Sequence, residues 1–130
     1  MKATIMNPTT SATAAAIQPT ATRAETIAQL NDDLRRNPVG PGKRTVVTRG
    51  VSQLGADVLM RALAAVAAFD VFHSGNNPHL ERDYGRFELD GHDLMFKIDY
   101  YDVDGVYGSE DPADPAQTLR VMTILLASEY

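Results

Sequence analysis

Residues 84–101 read YGRFELDGHDLMFKIDYY, and the Asp90-Gly91 pair inside this stretch decides how it folds. Asp-Gly between two alternating apolar runs is a strong hairpin signal, because a type I′ turn needs positive φ at both central residues. A two-residue turn sets the register: Leu89 faces His92, Glu88 faces Asp93, Phe87 faces Leu94, Arg86 faces Met95 and Gly85 faces Phe96. Side chains alternate between the faces of a strand. Leu89, Phe87, Leu94, Phe96 and Ile98 therefore share a core-facing side, and Glu88, Asp93, Arg86, Lys97 and Asp99 share the wet side. Gly85 leaves room for the Phe96 ring to lie across the partner strand.

Working upstream, TRAETIAQLNDDLRR (22–36) predicts a first helix. Thr22 and Glu25 have capping-box spacing, Ile27, Leu30 and Leu34 recur at helical period, and Arg35 and Arg36 sit where a helix C-terminus favours cations. KRTVVTRGV (43–51) is short, β-branched and bounded by glycines, which predicts a strand. SQLGADVLMRALAAVAAFD (52–70) predicts a second helix capped by Ser52, and VFHSGNNPHLERD (71–83) has a loop composition. Downstream, Asp114, Pro115 and Gln117 form a helix-opening signal, and Val121, Ile124, Leu125 and Ser128 keep one helical face, so the C-terminal segment is expected to be a third helix. The order α-β-α-β-β-α predicts an α+β fold, a small three-stranded antiparallel sheet with helices packed on one face. Residues 1–21, rich in Thr, Ala, Ser and Pro without apolar periodicity, are expected to form a disordered tail, and residues 22–130 a single α+β domain.

Composition narrows the chemistry. The chain has 130 residues and no cysteine, which removes disulfides, thiolate zinc sites, iron–sulfur clusters and a cysteine nucleophile together. The longest apolar run, VLMRALAAVAAF (58–69), is too short to span a bilayer and carries Arg61. No N-terminal apolar stretch has signal-peptide length, so a cytoplasmic protein is expected. The net charge of −5 is unevenly distributed: residues 1–61 carry +4 and residues 81–114 carry −8. That acidic part argues against direct nucleic-acid binding, although the basic residues Arg35, Arg36, Lys43, Arg44 and Arg49 would permit such a contact.

No nucleophile elbow, phosphate-binding loop or dinucleotide fingerprint is present. His73, His79 and His92 lack metal-ligand spacing. The stretch KIDYYDVDGVYGSEDPADP (97–115) holds six carboxylates and three tyrosines. Its DVDG begins like a calcium loop, but counting from Asp102 puts Tyr107 at position six and Ala113 at position twelve, where Gly and Glu are required. No metal site or cofactor is assigned; a divalent-metal-dependent enzyme using carboxylates between Asp99 and Asp104 is the alternative function. Within the stretch, Ile98 and Tyr100 belong to the core side and Asp114-Pro115 to a helix start. Asp99, Tyr101, Asp102, Asp104, Glu110 and Asp111 are left without a structural duty, and they form the candidate partner-binding set.

The KIDYYD strand, the GS-DPADP loop and the RV-TI-LA-EY ending together resemble a small, uncharacterised bacterial family. LNDDLRR, VVTRGV and VAAFDVF fit as well, so the resemblance spans roughly residues 25–130. Relatives in that family often open the second helix with a proline-rich segment where this chain has Leu54-Gly55. The resemblance implies a mainly alphaproteobacterial protein, often carried on plasmids and mobile elements, with no established activity. Together with the acidic surface it implies a non-enzymatic protein-binding module, a counter-defence inhibitor of anti-CRISPR or anti-restriction type. Such an inhibitor would set its acidic surface against the basic, nucleic-acid-binding groove of a host defence complex.

Overall fold

The computed structural model describes residues 21–130, so the expected tail lies outside the described residues except for Ala21. Among the described residues there are four strands and three helices: α1 Arg23–Arg36, β1 Lys43–Val47, α2 Arg49–Ser52, α3 Ala56–Ala68, β2 Tyr84–Leu89, β3 His92–Tyr101 and β4 Leu119–Leu126. Single 3-10 turns occupy Pro115–Gln117 and Ala127–Glu129.

The hairpin forms in the register that its turn dictates, with Glu88 opposite Asp93 and Gly85 opposite Phe96. Asp90 and Gly91 both have positive φ, 53° and 79°, as a type I′ turn requires. Phe96 is fully buried and crosses Gly85; a Cβ there would also meet the Phe69 ring at 2.6 Å. The like charges of Glu88 and Asp93 are relieved as Arg86 Nε donates to Asp93 Oδ1 at 2.8 Å.

The expected third helix is instead β4. Asp114 does cap a turn, its Oδ1 accepting from Ala116 N at 2.9 Å, but that turn stops at Gln117. Beyond it the chain extends, and Arg120, Met122 and Ile124 are buried alternately. β4 pairs on both sides, antiparallel with β3 and parallel with β1, giving the order β1-β4-β3-β2. The sheet therefore has four strands rather than three and is mixed rather than wholly antiparallel. A central strand satisfies its backbone on both edges and here buries Met122, Ile124 and Leu125, and this outweighs the local helix-start signal.

The segment expected to be one second helix is two. Thr48, not Ser52, caps α2, its side chain accepting from Val51 N, and Gly55 at φ 101° begins α3. The break at Leu54-Gly55 is made by a glycine whose backbone turns where a side chain would be strained.

Leu34 of α1, Val51 of α2 and Ala62 and Val66 of α3 pack on one sheet face against Leu94, Phe96, Ile98, Met122 and Ile124. Burying each large apolar side chain there contributes about 1.5–3 kcal/mol. The capping box of α1 is present as the sequence predicts: Glu25 N donates to Thr22 Oγ1 at 3.1 Å and Thr22 N to Glu25 Oε1 at 2.9 Å. Arg35 stands in the last turn, where the sequence placed a cation, and it is buried. Its Nη1 donates to the carbonyls of Val66 and Phe69, both at 2.9 Å, so a residue of α1 caps the end of α3.

Candidate functional site

Strand β3 runs out at Tyr101 and β4 begins at Leu119, and the connection between them is an ordered loop. Asp102 N donates to Tyr107 O at 2.7 Å, Gly105 N to Asp102 O at 2.9 Å, and Val106 N to the Asp102 side chain at 3.0 Å. Gly105, at φ 71°, supplies the left-handed residue that closes the turn. A lone bridge between Tyr101 and Gly108, with Ser109 N donating to Tyr100 O at 3.1 Å, ties the loop base to β3. At the far end Ser109 Oγ and Thr118 Oγ1 lie 2.8 Å apart, and Thr118 Oγ1 donates to Asp111 O at 2.9 Å.

The six residues singled out from the sequence separate here. Asp102 and Asp111 have structural duties after all. Asp102 closes the turn just described, while Asp111 Oδ1 accepts from Ala113 N at 3.2 Å and meets Arg23 at 3.5 Å. Short carboxylate side chains organise turns in this way by taking up nearby backbone N–H groups, a duty that spacing alone does not reveal. Asp99 projects from the sheet face opposite the helices and accepts from Lys97 Nζ at 2.7 Å. Tyr101, half-buried, lies opposite Leu119 on that same face. Asp104 and Glu110 are exposed on the loop. From residue 98 to residue 119 the chain has six acids and no base, and Arg23 at the start of α1 reaches Asp111 from outside that stretch.

The loop also presents side chains that sequence reasoning passed over. Val103, Val106 and Tyr107 are 63%, 64% and 75% exposed. Large apolar side chains grouped on an ordered surface loop and flanked by charge are the usual mark of a contact surface. The signal available in the sequence was three apolar residues within five positions of an otherwise acidic turn. Among the described residues, no group of three His, Cys, Asp or Glu side chains is placed to hold a metal ion.

Beneath this face lies a buried polar cluster that also escaped the sequence. Asn31, fully buried in α1, donates through Nδ2 to Tyr100 Oη at 2.8 Å and to Glu81 O at 3.0 Å, and accepts from Arg120 Nε at 3.0 Å. Tyr100 Oη donates in turn to Glu81 Oε1 at 2.8 Å. Burial pushes the Tyr100 phenol above its usual range and the Arg120 guanidinium below its own. Next to it, Arg82 grips Asp32 with two donors, Nε to Oδ1 at 3.0 Å and Nη2 to Oδ2 at 2.6 Å. Burial opposes ionisation of Asp32, but hydrogen bonds from Arg82 and Arg35 outweigh it and hold the carboxyl below its ordinary value. These contacts fix the segment from Asn77 to Asp83, where Leu80 and Arg82 both take left-handed φ, 62° and 52°. Side-chain-bearing residues rarely adopt that conformation unless their surroundings compel it.

A family model described as "Protein of unknown function (DUF3768)" matches residues 47–129, well over half of the chain. The chain belongs to that family. The match begins at the last residue of β1, so it includes the acidic loop and all of β2, β3 and β4 but leaves α1 outside. No curated protein and no solved structure matches the chain.

Proposed function

We propose that this member of the family is a non-enzymatic protein-binding module whose partner is a nucleic-acid-processing host defence complex, and that it acts as a counter-defence inhibitor. The observation that carries this reading is the 102–110 loop, where Val103, Val106 and Tyr107 stand exposed beside the exposed acids Asp104 and Glu110 on a hydrogen-bonded frame. A frame already ordered before binding lowers the entropy cost of association. The acids supply the complement of a basic groove and speed encounter in a salt-dependent way, while the apolar side chains supply contact area. The resemblance to a family carried on plasmids and mobile elements supports an inhibitor of anti-CRISPR or anti-restriction type.

The test is affinity capture with the parent chain and with an Asp104→Lys/Glu110→Lys/Tyr107→Ser variant, followed by inhibition assays on the captured nuclease complex. The reading expects capture of a basic, nucleic-acid-processing complex that the parent inhibits. It expects the variant to lose capture, and capture by the parent to weaken as salt rises. Equal capture and inhibition by the two chains would overturn the acidic-loop mechanism.

A further inference from the structure

The sheet ends in β1 on one side and β2 on the other, and the last strand of a sheet presents an outer row of backbone groups. On β2 the phase of that row is fixed. Ile98 N donates to Asp83 O at 2.9 Å, and the two-residue turn makes Leu89 and His92 a hydrogen-bonded pair. Odd-numbered residues of β2 therefore bond to β3, and the N–H and C=O groups of Tyr84, Arg86 and Glu88 point outward. Among the described residues, no loop backbone bonds to those outward groups. We propose that β2 is a self-pairing edge: it takes the β2 of a second copy of this chain, antiparallel and centred on Phe87, to build a two-fold dimer with one continuous sheet.

Charge selects this occupant and this register. Centring on Phe87 sets Arg86 against the partner's Glu88, and the two-fold repeats the pair as Glu88 against the partner's Arg86. Moving the centre by one residue sets Arg86 against its own copy, or Glu88 against its own copy. Charges on an edge strand ordinarily keep other strands away; here their alternating sign bars the shifted registers and admits one. Glu88 has no basic partner within 4.0 Å among the described residues and stands opposite the like-charged Asp93, so pairing supplies the cation it lacks. Arg86 already donates to Asp93, but a guanidinium has donors for two carboxylates. Arg61 shows this in the same chain, Nε donating to Asp57 and Nη1 to Asp90, both at 3.0 Å. Strand β1, KRTVV, has two bases and no acid, and offers no such complement.

The helix side of the edge fits the same partner. Phe87 and Leu89 face the core yet stay partly exposed, whereas Leu94 and Phe96 on β3 are fully buried. In the centred register Phe87 meets the partner's Phe87 at a non-hydrogen-bonded position, with Cα atoms about 4.5 Å apart, where opposed side chains come closest. Leu89 lies opposite the partner's Gly85, which has no side chain to oppose it. Each copy carries one acidic 102–110 loop, so the dimer presents two, and a target that engages both gains from their effective concentration.

The test is sedimentation equilibrium of the full chain across a wide concentration series, with amide hydrogen exchange followed by NMR. The parent should approach twice the monomer mass as concentration rises. The Arg86 and Glu88 amides should become protected with it, while the Phe87 amide, bonded to β3 in either state, should not change. Arg86→Glu and Glu88→Arg should each weaken self-association at least tenfold, with thermal melting confirming that both are folded. An equimolar mixture of these two variants should restore the dimer, because each brings the charge that the other lacks. A parent that stays monomeric, variants that associate as the parent does, a mixture that remains monomeric, or a dimer with unprotected Arg86 and Glu88 amides would each overturn the proposal. Protection of those amides by a different protein on a monomeric parent would overturn it as well, and give the edge to that protein. The Asp104→Lys/Glu110→Lys/Tyr107→Ser variant should dimerise as the parent does, so failure of the docking loop and failure of the edge are separable.

Discussion

Replacing Asn31 with alanine should cost the fold about 4 kcal/mol. Three hydrogen bonds disappear: to Glu81 O at 3.0 Å, to Tyr100 Oη at 2.8 Å and from Arg120 Nε at 3.0 Å. Each neutral bond contributes about 1 kcal/mol net, and one to a charged group about 1.5–3 kcal/mol. The Arg120 guanidinium, itself buried, would keep only its bond to Pro112 O and its place over the Tyr100 ring. A domain of this size has roughly 5–15 kcal/mol in total, so the variant should unfold at far lower urea. The chain has no tryptophan, so unfolding is followed by circular dichroism and tyrosine fluorescence. The slope of stability against urea should be unchanged, since the same surface is exposed on unfolding. Asn31→Leu restores the lost volume without the polar atoms and should be about as costly as the alanine. A loss below about 1 kcal/mol for alanine, or recovery with leucine, would refute the hydrogen-bond account.

Three further outcomes are expected of the same fold. Arg35→Ala should cost about 3 kcal/mol by freeing the Val66 and Phe69 carbonyls that its guanidinium caps, measured by urea unfolding. Gly85→Ala should cost about 1–3 kcal/mol because its Cβ would strike the Phe96 and Phe69 rings; adding Phe96→Leu should recover part of the loss in a thermal melt. Asp83→Asn should raise Tm at pH 7. Burial lifts the folded carboxyl above its unfolded value, so the parent's Asp83 contributes most stability below the unfolded pKa and loses it as pH rises through the folded one. The difference between parent and variant should therefore shrink on acidification, and a variant less stable than the parent at pH 7 would contradict that sign.

The comparison of residues 84–101 with residues 114–130 shows where sequence suffices. The hairpin was legible because its information is local: Asp90-Gly91 specifies the turn, and the period of two then assigns every side chain to a face. The cap of α1 was legible for the same reason, since Thr22 and Glu25 lie within one helical turn of each other. In the candidate site, Asp104 and Glu110 were legible as exposed acids, whereas Asp102 and Asp111 were misread because their turn-closing bonds form only once the loop has its shape.

The sequence by itself determined the elements whose partners are neighbours: α1, the β2–β3 hairpin, and the single turn that Asp114 caps. Only the tertiary structure decided that residues 119–126 extend between β1 and β3 and that Asn31 and Arg35 are buried. The physical reason is range. Caps and turns are set by atoms a few residues apart, whereas strand pairing, as between residues 43–47 and 120–124, is set by the surface that the rest of the chain offers. The same polar side chain is exposed on an isolated helix and buried once a partner supplies its hydrogen bonds.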